Sequence, residues 1–388
     1  MLTATKDKNL VTTITGSLPR PHWYAENLAG RSISNAYLGD FKFHEQYRDA
    51  VSCCIADQRC AGLDIFTDGD MRFDMDLGGR AWFGYVYDRM SGIEDSALRS
   101  LPFGGSPREA QAGDIFNEIM ATRLPPRVTG PVGPGRLEYD LVWKIAQGLS
   151  SRPVKFGACS AQLVDMLVVN EFYKDRAETV MALSAAKNEA YHALADAGCP
   201  VIQVEEPCFH FVEDVEWEVS PAVYVDAFNV EVAGLRDKAE VWCHTCWGNP
   251  YAQNLGYGAK YKPVLQYLDQ LDVDVITFEM KYADYLEFKE VAAAVGKDKK
   301  IAIGVISHRS LQVETPEEVA DDIRRALKLV DAGRLILSSD CGFGRQGISR
   351  KHAFYKMVSL VRGTNIVRRE LGLDEVSVLA EQANLSYL

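Results

Sequence analysis

The sequence predicts a single (β/α)8 barrel, an α/β fold, and three observations carry that expectation. Short β-rich runs alternate with helical segments along the chain. The runs are apolar almost throughout, which suits a parallel sheet covered on both faces. Polar residues gather at their C-terminal ends, where a parallel barrel carries its chemistry. No internal repeat or low-complexity linker divides the 388 residues, so one barrel spanning 1–388 is preferred to two domains.

The runs, in order, are VTTITGS (11–17), LDIFTDG (63–69), RVTGPV (127–132), PVKFGAC (153–159) and VIQVEEP (201–207). EVWCHTC (240–246), VDVITFEM (273–280), IAIGVIS (301–307) and RLILSSDCG (334–342) follow. Nine is one more than the barrel takes, so RVTGPV or the 80–126 stretch is placed outside the closed sheet. That stretch, rich in Gly, Pro and Arg, reads as a long insertion over one barrel end. Between the strands, residues 176–198 form an amphipathic helix closed by Gly198. Residues 315–333 form another, with Thr315 as N-cap, Pro316 in the first turn, acids early, bases late and Gly333 at its close.

Composition narrows the function. An apolar fraction of 47% with 25% charged residues is that of an ordinary globular protein. Lys and Arg number 42 against 54 Asp and Glu, a net charge of −12, which argues against nucleic-acid or anionic-membrane partners. The N-terminus has no apolar signal core and no run approaches membrane-spanning length, so a cytoplasmic location is expected. Nine cysteines, an odd number, read as core residues and ligands rather than disulfides.

One stretch concentrates the chemistry. In EVWCHTC, strand alternation turns His244 and Cys246 to one face and Cys243 to the other, so the visible Cys-x-x-Cys is not a redox pair at a helix start. Alone, the stretch is equally well a buried strand whose cysteines only pack. Two later strand ends shift that balance: VDVITFEM closes on Glu279, and LILSSDCG closes on Asp340 and Cys341. His244, Cys246, Glu279 and Cys341 offer one imidazole, one carboxylate and two thiolates from three strand ends, the number a tetrahedral zinc takes. Asp340 is expected to orient a ligand rather than bind metal itself.

TITGSLPRP, TDGDMR, DAGCPVIQVEEP, the His-x-Cys of CHTC, ITFEM, GVISHRSLQVETPEEVADDIRRAL and LILSSDCGFGRQGISRKHAFYKM follow one another along nearly the whole chain. In that order they resemble the catalytic barrel of cobalamin-independent methionine synthase and its single-barrel relatives, which include epoxyalkane:coenzyme M transferases. The resemblance implies zinc held by His244, Cys246, Glu279 and Cys341, and transfer of a methyl or other alkyl group to a zinc-bound thiolate. Homocysteine is the leading acceptor. It also makes Ser17 a contact of the substrate carboxylate. His308, one position short of the family's histidine motif, is matched to a proposed proton donor. Zinc coordination would deprotonate a thiol whose free pKa is about 8.5.

The chain departs from that pattern around the substrate. Glu205-Glu206-Pro207 stands where the family has Asp-Glu-Pro, moving a carboxylate by about 1.3–1.5 Å. The family's second ammonium-binding Glu falls near Asp76 or Leu77, and no Glu stands at either position. No tryptophan in FGACSAQLVDML matches the one that packs the folate pterin. Asp68 either touches substrate or braces Arg72, and Trp247 either walls the pocket or seals the rim. The partners are thus a small thiol and an alkyl donor whose identities stay open, and a homo-oligomer is compatible with the sequence. For a sulfonate thiol such as coenzyme M, Arg20, Arg72 and Arg309 are the cations near strand ends. The reading from another class is a non-catalytic zinc barrel, or a metal-free decarboxylase-like one.

Overall fold

The computed structural model describes residues 4–75, 81–94, 112–115, 125–205, 219–249, 252–253, 260–344 and 347–382. Their strands are β1 (Val11–Thr12), β2 (Phe66–Thr67), β3 (Ser91–Glu94), β4 (Arg127–Gly133), β5 (Val154–Cys159) and β6 (Val169–Asn170). They continue with β7 (Val201–Glu205), β8 (Glu240–Thr245), β9 (Val275–Phe278), β10 (Lys300–Ile306) and β11 (Leu335–Ser339). Eight of them form one parallel sheet in the order β1-β11-β10-β9-β8-β7-β5-β2. Its two end strands meet. Ile65 N donates to Thr12 O at 3.1 Å and Thr13 Oγ1 to Ile65 O at 3.0 Å, which closes the ring.

The ninth run, RVTGPV, is β4, and it lies outside the ring as expected, in a small sheet of order β3-β4-β6. The partners β3 and β6 are short and mostly polar or half-exposed, so no periodicity announced them. Of the expected 80–126 insertion, the helix Ala81–Tyr87 and β3 are described, while 95–111 and 116–124 lie outside the described residues. Helix Arg176–Asp196 starts on the Asp175 side chain, which accepts from Glu178 N, and the chain leaves it through Gly198 at φ 101°. Helix Pro316–Leu327 has the Thr315–Glu318 capping box. It stops six residues before Gly333, however, because the chain turns at Lys328 to bury Val330. No helix among the described residues is long and apolar enough to cross a membrane.

The barrel interior is layered, and the layers decide where chemistry can sit. At the N-terminal end of the strands, Val11, Ile65, Val201, Trp242, Val275, Ala302 and Ile336 pack with Ala4 in a closed apolar plug. This plug is separate from the larger core between sheet and helices. Two residues further along each strand, alternation turns Lys155, Gln203, His244, Thr277, Gly304 and Ser338 inward. Continuing it brings Glu205, Cys246, Glu279 and Asp340 to the C-terminal mouth. Polarity therefore rises along the axis from floor to mouth.

The floor is tied shut by Glu240, whose buried carboxylate accepts from Ala4 N (2.8 Å), Thr5 N (2.6 Å), Thr5 Oγ1 (3.0 Å) and Trp242 Nε1 (3.1 Å). Replacing it strands several buried donors at once. Glu240→Ala is expected to cost about 2–4 kcal/mol of stability and to lower the thermal unfolding midpoint in calorimetry.

Candidate metal centre

The site begins with β8. His244 faces the barrel axis, while Cys243 packs outward into the core beneath the helices. Cys246 follows one residue past the strand, and Cys341 lies two residues past β11. The two sulfurs are 3.8 Å apart. One ring nitrogen of His244 and both sulfurs all lie within 4.8 Å of one another. With Zn–S bonds of about 2.3 Å, the edge of a tetrahedron is ~3.8 Å. The spacing therefore fits one soft metal ion held by both thiolates, with the imidazole as third donor. His244 and Cys246 are buried and Cys341 is partly exposed, so the open side of the cluster faces the mouth.

Glu279, the fourth expected ligand, belongs to a neighbouring group with His308 and Asp340, all three fully buried. Its Oε1 accepts from Arg309 Nε at 3.0 Å; Oε2 accepts from Trp247 N at 3.2 Å and lies 3.5 Å from Arg309 Nη2. The structure thus brings together three of the four residues and turns the fourth toward a guanidinium. Tyr261 fixes the backbone here: its hydroxyl accepts from Glu279 N (3.0 Å) and donates to Thr245 O (3.3 Å). The Trp247 ring packs against Tyr261 at a tilt of 38°, with centroids 4.4 Å apart, in the buried rim.

Asp340 is held by backbone alone. Its Oδ1 accepts from Met280 N and Lys281 N and its Oδ2 from Tyr282 N, each at 2.8 Å. It therefore joins the end of β11 to the loop that leaves Glu279, a positioning role. Burial, with the Glu279 charge second, pushes its pKa up to about 8, against those three donors. The carboxyl reaches the loop across Gly304, where a Cβ would lie 1.8 Å from Asp340 Oδ1. His308 is buried with neither ring nitrogen bonded among the described residues. Burial, then the charges of Arg309, His244 and Lys356, hold its pKa well below the usual range, so the ring is neutral.

Across the mouth, Ser17 Oγ accepts from Gly344 N at 3.1 Å, packed against Gly342 and Gly344 in the loop that carries Cys341. Asp68 braces Arg72: Arg72 Nη1 donates to Asp68 Oδ2 and Asp70 Oδ1, both at 3.0 Å, and Nη2 to Gly157 O at 2.6 Å. Glu205 accepts from Gln203 Nε2 at 2.6 Å, and Gln203 in turn accepts from Lys155 Nζ at 2.7 Å. Burial pushes the Lys155 pKa down to about 7 against the pull of Glu205 and Asp70. The extra methylene of Glu205 is housed over Gly157, where a Cβ would lie 2.5 Å from Oε1. Asp76, Glu206 and Pro207 lie outside the described residues.

All three arginines considered for a sulfonate are engaged internally. Arg20 donates to the carbonyls of Tyr24, Phe73 and Glu26. Arg72 is the buried clamp just described, and Arg309 adds Gly248 O (2.8 Å) and Ala252 O (3.0 Å) to Glu279. Sequence reasoning missed the bracing roles of Tyr261, Gln203 and Gly304. Of these only Gly304 carried a signal, as a glycine inside an otherwise apolar strand.

The catalytic-domain model of the cobalamin-independent synthases matches residues 135–362. A methionine synthase of Saccharolobus islandicus (strain Y.G.57.14 / Yellowstone #1) is 30% identical over 364 residues, covering 93% of this chain and 96% of that protein. One from Sulfurisphaera tokodaii is 28% identical over 369 residues, covering 93% and 94%. A B12-independent methionine synthase from Shewanella sp. W3-18-1, solved in complex with selenomethionine, superposes with a TM-score of 0.74 at 25% identity, covering 94% of this chain and 99% of that one. A putative vitamin-B12 independent methionine synthase from Listeria monocytogenes, at 17% identity and TM-score 0.64 over 92% and 99%, supports the fold.

The Asp340 brace yields a test. Gly304→Ala drives a methyl group into its carboxylate, at a cost of about 1–3 kcal/mol. The loop at 280–282 should loosen, read as a lower melting temperature and faster amide exchange at Met280–Tyr282, whereas Gly39→Ala, with open space around its Cβ, leaves that exchange unchanged.

Proposed function

We propose that this chain, which belongs to the cobalamin-independent methionine synthase family, is a zinc-dependent S-methyltransferase that methylates homocysteine. The observation that carries the reading is the pair of thiols 3.8 Å apart beside an imidazole, at the mouth of a parallel barrel. His244, Cys246 and Cys341 would hold the ion, with Glu279 as the exchangeable fourth ligand. Zinc, when bound there, supplies a thiol-to-thiolate conversion at neutral pH without stripping the sulfur of its nucleophilicity, because two thiolate ligands already donate charge to it.

The chain's own groups do the rest. Glu279, the hard oxygen donor among softer ones, would be the most readily exchanged of the residues holding the ion. The acceptor thiol gives its proton to a ring nitrogen of His308, which is neutral. Its sulfur then bonds to the methyl carbon, while the bond from methyl to donor breaks and leaves its electron pair on the donor, which takes up a proton. His308, close to Glu279 and Asp340, then passes the proton it took from the thiol to the leaving donor. Glu205, held by the Lys155–Gln203 chain, faces the mouth as a carboxylate for the ammonium of an amino-acid thiol, and the Ser17 hydroxyl can meet its carboxylate. Asp68 acts indirectly, by holding Arg72. The engagement of Arg20, Arg72 and Arg309 disfavours the sulfonate-thiol alternative, since none of them keeps an outward-facing fork. The donor remains a small molecule or carrier of unassigned chemistry.

Three measurements test this. Purified protein should carry one zinc per chain, and Cys246→Ser and Cys341→Ser should each lose it while keeping the wild-type far-UV circular dichroism. Homocysteine should add a third sulfur to the zinc coordination shell in X-ray absorption; entry of coenzyme M but not homocysteine would overturn the assignment. Glu205→Gln should weaken homocysteine binding by roughly 10-fold or more, with zinc content unchanged.

A further inference from the structure

The Glu279–Arg309 pair is buried on both sides, with side-chain exposures of 0% and 4%. Glu279 Oε2 also accepts from the backbone N–H of Trp247, the residue after Cys246. Arg309 interacts electrostatically with Cys246 and Cys341 as well as with Glu279. Its other donors are committed to Gly248 O and Ala252 O, in the loop that follows Cys246. The guanidinium is therefore pinned to the loop beyond β8 and cannot follow the carboxylate if that side chain swings. Glu279 hangs from the end of β9 and has side-chain rotors of its own to reorient.

We propose that Arg309 is a dock for Glu279: the carboxylate alternates between the metal position defined by His244, Cys246 and Cys341 and the fixed Arg309 guanidinium, which thereby opens the coordination place that a thiol takes. This inference rests on the metal-site reading above and adds a competitor to it. A carboxylate released from a metal at this buried position would be left as an uncompensated charge, which is costly. Arg309 removes that penalty before release occurs. Charges agree: a divalent ion, two thiolates, Glu279 and Arg309 sum to zero, and an entering thiolate adds a single negative charge. Arg309 is a positioning residue on this reading, since it acts through Glu279.

The sign of one measurement separates a dock from an ordinary brace. Removing a group that merely orients a ligand weakens metal binding, roughly 10- to 100-fold. Removing a competitor tightens it. We would measure zinc affinity by competition with a chromophoric chelator for the full-length wild-type protein, Arg309→Met, Arg309→Lys, Glu279→Gln and the double variant Glu279→Gln/Arg309→Met, with melting curves to confirm folding. Arg309→Met should bind zinc about tenfold tighter or more, Arg309→Lys should return toward wild type, and the Met effect should vanish in the Glu279→Gln background. Should Arg309→Met fail to fold, Arg309→Gln, which can still bond to Gly248 and Ala252, is the substitute. Weaker or unchanged zinc binding in Arg309→Met, or an effect that persists without Glu279, would overturn the dock alone. A wild-type protein that binds no zinc would overturn the dock together with the metal-site reading.

Discussion

Everything at the mouth of this barrel hangs on one carboxylate, that of Asp340. It sits at the end of β11, next to Cys341, and its oxygens take up three successive backbone N–H groups just past Glu279. Two strand ends that are not neighbours in the sheet are thereby locked at a fixed separation across β10, and β10 makes room through a glycine. A carboxylate bound by three N–H groups is a rigid joint, because no rotamer change keeps all three bonds. The thiol of Cys341 and the carboxylate of Glu279 inherit their placement from it. Its neighbour in space, His308, is left with ring nitrogens that no described group occupies.

Around that joint the chain uses buried ion pairs as positioning devices rather than as sources of stability. Arg72 is clamped by Asp68 and Asp70 and lies near the rings of Phe73, Tyr85 and Phe156. Lys356 is anchored on Glu314, whose carboxylate also accepts from Ser307 N, and so holds the loop that presents His308 and Arg309. Such pairs roughly break even on desolvation, and they persist where a fixed geometry is needed. The apolar floor supplies cohesion at the other end of the axis, so the mouth is free to carry charge.

Much of this was legible in the residues alone. The nine runs appear as strands, and the surplus one lies outside the ring, because length and apolar continuity mark buried parallel strands. Alternation put Cys243 and His244 on opposite faces without any coordinates. The partnership of Glu279 was hidden: a strand-end acid followed 30 residues later by an arginine carries no periodic signal, and only closure of the barrel brings them together. The same is true of Tyr261 and Gln203, whose roles depend on register between strands. The long reading of the 315–333 helix failed because Gly333 resembles a cap, whereas burial of Val330 ends the helix earlier.

The notch at Gly157 has a consequence for how such a mouth could change over descent. Glu205 occupies the volume that a side chain at 157 would need, so the two positions trade space and cannot drift independently. A shorter Asp at 205 would leave room for alanine at 157, whereas in this chain alanine there would push the Glu205 carboxylate off its present position. The order of substitutions therefore matters: filling the notch first displaces the acid, and shortening the acid first does not. A pair separated by 48 positions behaves as one inherited unit, and how far the carboxylate extends over the mouth is tied to a glycine on the neighbouring strand.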